Sequence, residues 1–97
     1  MPKAYLVVQY RSISDPDKLA NYSKLAGPAI AAAGGRFLVR GVAIAAYEAG
    51  EKQRTVVVEF PDRATAEALY DSPAYQEAIE ALGNAAVRDM RIVEGVE

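Results

Sequence analysis

The stretch Ala4-Tyr5-Leu6-Val7-Val8-Gln9-Tyr10, followed by Ser14-Asp15-Pro16, decides the fold, because it sets a strand directly before a helix start. β-Branched and aromatic side chains suit a pleated, half-buried strand. Ser14 or Asp15 can accept a hydrogen bond from an unpaired helix N–H, and Pro16 fits the first turn, where no donor is needed. The helix that follows carries Leu19, Tyr22, Ala26, Ile30 and Ala33 at spacings of three and four, an apolar stripe. Pro28 lies within it and removes one donor, which predicts a kink or break near Ala26-Gly27. Gly34-Gly35 supplies the left-handed residue that commonly closes a helix.

The same step then repeats. Arg36 to Arg40 and Val42 to Tyr47 read as a second strand region interrupted at Gly41, where a bulge or bend is expected. Glu48-Ala49-Gly50-Glu51-Lys52 is a polar turn, and Arg54 to Phe60 returns as a third strand. Asp62 caps a short helix through Leu69. Ser72 and Pro73 are placed as cap and first residue of another helix reaching about Leu82, with Tyr75, Ile79 and Leu82 on one face. A last strand runs from about Val87 to Glu94. The order βαββαβ predicts a single α+β domain over residues 1–97, ferredoxin-like, with a four-stranded antiparallel sheet and the helices on one face.

The other face then needs water or a partner. In the first strand Leu6 and Val8 oppose Tyr5, Val7 and Gln9; in the second, Phe37 and Val39 oppose Arg36, Leu38 and Arg40. The second set mixes apolar bodies with polar tips, as a face buried in a homodimer around a polar cavity would. Solvent alone explains the arginines but leaves Tyr5, Val7 and Leu38 exposed together.

Composition narrows the chemistry. The chain has no cysteine and no histidine, so thiolate nucleophiles, imidazole proton shuttles and the usual anchors of zinc, copper and haem iron are excluded. No carboxylate cluster suggests a metal, and no cofactor is expected. A net charge of −2 without a basic stripe argues against nucleic acid. The apolar runs fall short of the roughly 18 residues a membrane span needs. The N-terminus shows no leader pattern, and a cytoplasmic location is expected.

Four segments carry a resemblance: Gly34-Gly35-Arg36-Phe37-Leu38-Val39-Arg40-Gly41, Val58-Glu59-Phe60-Pro61, Tyr70-Asp71-Ser72-Pro73-Ala74-Tyr75-Gln76 and Val93-Glu94-Gly95. In this order, with the Asp15-Pro16 helix start, they resemble domain-of-unknown-function family 1330, in the dimeric α/β-barrel superfamily. That resemblance implies ferredoxin-like subunits paired through their sheets, but no function. Relatives often show a tryptophan where this chain has Leu69, and an arginine in the region of Ala81-Leu82-Gly83-Asn84. An anion held by that arginine in relatives would lack its anchor here.

The candidate ligand-pocket residues are Tyr5, Gln9, Arg36, Arg40, Glu59 and Tyr70. Arg36 and Arg40 share a side if the strand between them is regular, and either clamp an anion or pair with acids such as Glu59. Glu59, if buried, has a raised pKa and serves as a general base; otherwise it is an ion-pair partner. Tyr22 and Tyr75 read as helix–sheet boundary residues, and Tyr70, between two short helices, as the pocket tyrosine. Ser23 and Ser72 have no base to activate them. Two functions fit. The first is a homodimer that binds a small organic molecule, anions included, between sheet and helices. The alternative is a cofactor-independent enzyme, of oxygenase or isomerase type, acting on a small organic acid or aromatic.

Overall fold

The computed structural model describes residues 2–96, so Met1 and Glu97 of the expected 1–97 domain lie outside the described residues. Elements follow in the order β1 (Ala4–Ile13), α1 (Pro16–Ala32), β2 (Arg36–Val42), β3 (Arg54–Phe60), α2 (Arg63–Asp71), α3 (Pro73–Leu82) and β4 (Ala86–Glu94). The four strands form one sheet in the order β2-β3-β1-β4, with every neighbouring pair antiparallel. This is the predicted ferredoxin-like arrangement.

The helix starts are set by the side chains the sequence offers. Asp15 Oδ1 accepts from the Asp17 and Lys18 amides, Asp62 Oδ1 from Thr65, and Ser72 Oγ from Tyr75. Gly34, with φ +94°, ends the α1 turn. Between sheet and helices lies a single apolar core of Leu6, Val8, Val56, Val58 and Phe60 from the strands, with Ala26, Ile30, Leu69, Tyr75 and Leu82 from the helices. Among the described residues no helix is long and apolar enough to cross a membrane.

Three local expectations are corrected. The α1 helix runs unbroken through Pro28. Pro28 is exposed, so water can reach the carbonyl it leaves unpaired, and Gly27 before it has no Cβ to clash with the proline ring. Strand β2 ends at Val42 instead of reaching Tyr47. Beyond the bond from the Ala43 amide to the Gln53 carbonyl, residues 44–52 leave the ladder. Ile44 (96%) and Tyr47 (80%) are exposed and have no core to pack against.

The third correction matters most. The irregularity in β2 is at Leu38, not Gly41: Phe37 pairs with Val58 and Val39 with Val57, so Leu38 is an extra residue. One extra residue reverses the facing of all that follows it. Arg36, opposite Glu59, points to the open face, whereas Arg40, opposite Val56, shares the helix face. Val39 correspondingly moves to the open face, opposite Val57.

Candidate functional site

The six candidates divide between three places. Tyr5, Arg36 and Glu59 meet on the open face: Tyr5 Oη donates to Glu59 Oε2 at 3.2 Å, while Arg36 Nη2 and Lys3 Nζ each lie 3.4 Å from Glu59 Oε1. Gln9 is exposed on the same face and lines a groove of about 530 Å³ with Arg11, Thr55, Asp89 and Arg91 beneath the residue 43–53 loop. Tyr70 is 45% exposed, with its ring 5.6 Å from that of Tyr75, and borders a separate shallow depression beside Leu69 and Ile92. Arg40 alone of the six faces the helices.

Glu59 does not have the electrostatics of a base. Partial burial pushes its pKa up, but the hydrogen bond and charge of Lys3, the Tyr5 hydroxyl and Arg36 outweigh that effect. The carboxyl is held below its ordinary range and stays ionised at neutral pH.

Polar groups converge instead between the sheet and α1. Along β3, Arg54 alternates with Val56, Val58 and Phe60 onto the helix face; along β4, Arg88 pairs with Tyr10 and alternates with Met90. Tyr10 therefore stands between two arginines, whose guanidinium carbons lie 5.9 Å (Arg54) and 5.7 Å (Arg88) from its ring centre. Arg88 Nη1 donates to Tyr22 Oη at 2.9 Å and its guanidinium carbon sits 4.8 Å from the Tyr22 ring centre. Tyr22 Oη lies 2.6 Å from Tyr75 Oη, the two rings meeting edge to face. Arg40 is exposed, with its guanidinium 4.7 Å from the centre of the Phe37 ring.

These side chains line a cleft that also takes in Ser23, Gly27, Ile30 and Val58. Partly open to solvent, it offers about 30 Å³, room for about two waters or the head of a small anion. Its charge is unbalanced. The cleft lining contains Arg40, Arg54 and Arg88 but no acidic side chain. The ion pairs among the described residues involve Lys3, Arg11, Arg36, Arg63 and Arg91, and none of the cleft arginines. Arg54 Nε is buried and has no hydrogen-bond partner. Leaving a buried donor unpaired costs on the order of 1–3 kcal/mol, and a charged one more.

The tyrosines add donors, not bases. Burial and the neighbouring Tyr75 push the Tyr22 hydroxyl well above its ordinary pKa, against the pull of Arg88, so Tyr22 stays protonated. Arg88 stays charged: burial disfavours its charge, but the hydroxyl oxygens of Tyr22, Tyr75 and Tyr10 outweigh this. An arginine only donates, so the Tyr22 oxygen accepts from Arg88 and shares a proton with Tyr75. The cleft can thus offer N–H and O–H groups to an anion, while no side chain in it accepts a proton near neutral pH.

Sequence reasoning missed Arg54, Arg88 and the role of Tyr22. The signal was present in the alternation: Arg54 occupies the same set as Val56, Val58 and Phe60, and Arg88 the set of Met90 and Ile92. An arginine in the apolar half of an alternating strand is the informative departure.

A ferredoxin-like fold with a positive cleft under its helices is the class that the geometry defines. Its family is shown by sequence: the model of "Domain of unknown function (DUF1330)" matches residues 3–96, and the chain belongs to that family. No curated protein matches the chain. Among solved structures, a protein of unknown function from Rhodopseudomonas palustris superposes with a TM-score of 0.72 at 16% identity, covering 99% of this chain and 84% of that one. A dimeric ferredoxin-like protein of unknown function from Thermobifida fusca gives 0.65 at 14% identity, covering 96% and 91%. The cofactor-independent oxygenase SnoaB of Streptomyces nogalater gives 0.64 at 11% identity, covering 100% and 96%. At these identities the likeness is one of fold.

Proposed function

We propose that this chain is a homodimeric binding protein that holds a small organic anion between its sheet and helices. The observation that carries the reading is the charge of the cleft: Arg40, Arg54 and Arg88 without a carboxylate, and a buried Arg54 Nε without a partner. A carboxylate accepting from Arg54, Arg88 and the Tyr22 hydroxyl would satisfy those donors together. Charge-assisted bonds of this kind are roughly twice as strong as neutral ones.

Pairing through the open faces is supported by their make-up. Val39 (48%) and Val93 (53%) are exposed there, alongside half-buried Tyr5, Val7 and Val57. The Thermobifida fusca neighbour, described as dimeric, supports the same assembly. In such a dimer the Lys3–Glu59–Arg36 cluster would lie at the interface and leave the ligand role to the cleft.

The test is a thermal-shift screen of small carboxylates against the wild type, Arg54→Leu and Arg88→Met. A concentration-dependent rise in melting temperature that either substitution abolishes is expected. A flat response to every acid would remove the reading. Light scattering tests the dimer, with a mass near twice the 10.4 kDa chain expected.

A second reading, turnover, rests on the Tyr22 hydroxyl beside Arg88 in the cleft and on the fold shared with an oxygenase. With no acceptor in the cleft, it requires a substrate that arrives ionised. Consumption of oxygen or of the acid, lost in Tyr22→Phe, would favour it.

A further inference from the structure

We infer that Gly27 is the port through which the body of the ligand leaves the cleft, so that the ligand is a monocarboxylate with an extended apolar tail. This rests on the anion reading above. The 30 Å³ of the cleft takes a carboxylate head and little more, so the rest of any organic acid must lie outside it. Gly27 lines the cleft from α1, and a Cβ built on it meets nothing within 4 Å. Gly35, by contrast, would press a Cβ against Ile30 at 2.6 Å, so that glycine is explained by packing. Gly27 does not have a left-handed backbone either. A glycine inside a helix costs roughly 0.5–1 kcal/mol relative to alanine. Here that cost coincides with open space over the cleft. Phe37, half-buried, lines the same cleft and gives a departing chain apolar surface.

A second reason for Gly27 exists in the backbone, since a Cβ before Pro28 crowds the proline ring in a helix. The experiment removes it by working on a Pro28→Ala background, where position 27 has no such constraint. Gly27→Leu is then added, and Gly27→Ala as a smaller step. The probes are acetate, a head without a tail, and hexanoate, each titrated while the Arg54 Nε–Hε NMR signal is followed. Hexanoate affinity should fall at least about tenfold from Pro28→Ala to Pro28→Ala/Gly27→Leu, and acetate affinity change by less than about twofold, with the alanine step between. Melting of the double variant should not fall below that of Pro28→Ala, because leucine favours the helix over glycine. Equal hexanoate affinity in both variants overturns the port, as does an equal loss of both acids. If neither acid moves the Arg54 signal in the wild type, the anion reading itself fails, a result distinct from failure of the port alone.

Discussion

Replacing Tyr22 with phenylalanine probes the hydroxyl that joins α1, α3 and β4. Tyr22 Oη accepts from Arg88 at 2.9 Å and shares a proton with Tyr75 Oη at 2.6 Å. Its loss leaves the hydroxyl of Tyr75, a residue only 1% exposed, with no partner among the described residues, and takes an acceptor from the half-buried Arg88. Stranding a buried hydroxyl costs about 1–3 kcal/mol, and a hydrogen bond to a charged group is worth about 1.5–3, so a net loss of roughly 2–3 kcal/mol is expected. For a domain of this size 2 kcal/mol corresponds to a fall of roughly 8–16 °C in melting temperature. Tyr75→Phe leaves the Arg88 bond in place and should cost only about 1 kcal/mol. The double variant is the sharper measurement. With both hydroxyls gone neither is stranded, so it should be no less stable than Tyr22→Phe alone. Urea melts of the four proteins, followed by circular dichroism, give the cycle. Losses that simply add, or a Tyr22→Phe cost below about 0.5 kcal/mol, would refute the account of a coupled pair.

Other consequences are equally open to measurement. Arg54→Leu should leave the unliganded protein as stable or about 1 kcal/mol more stable in a urea melt, because it removes the unpartnered Nε, while carboxylate binding is lost. Gly35→Ala, whose Cβ would lie 2.6 Å from Ile30 Cγ2 and 2.9 Å from Val58 Cγ1, should cost about 1–3 kcal/mol by overpacking. Glu59 has a folded pKa below its ordinary 4.5, so the unfolded chain binds its proton first as pH falls. The stabilisation is therefore complete above about pH 4.5 and is lost as pH drops through the lower folded value. Acid melts of Glu59→Gln should show a shallower stability loss below that point than wild type; identical acid limbs would count against the Lys3–Tyr5–Arg36 cluster.

Much of the fold was legible because its signals are local. Asp15-Pro16, Asp62 and Ser72-Pro73 each mark a helix start with a side chain that needs only its own next few amides, and all three caps are formed. Tyr5 and Glu59 were nominated from separate strands, and register brings them opposite each other. The remainder of the site depended on parity. A regular strand would put Arg36 and Arg40 together; the extra residue at Leu38 sends them to opposite faces. Nothing about Leu38 marks it, since a bulge forms where twist and cross-strand packing are best met, not where a particular residue stands. Gly41, the conspicuous candidate, sits in ordinary register opposite Thr55.

The sequence by itself determined the βαββαβ order, the caps, the closing glycine at position 34 and the exclusion of imidazole and thiol chemistry. These follow from hydrogen bonds reaching only a few residues and from which side chains exist at all. Only the tertiary structure decided that Arg40, Arg54, Arg88, Tyr10, Tyr22 and Tyr75, each on a different element, meet in one cleft from which carboxylates are missing. That meeting depends on strand register and on the seating of α1 against α3, where a shift of one residue exchanges a cleft for solvent. It is also why Glu59, which looks like the natural partner of arginines, is spent on Lys3 and Arg36 on the other face of the sheet.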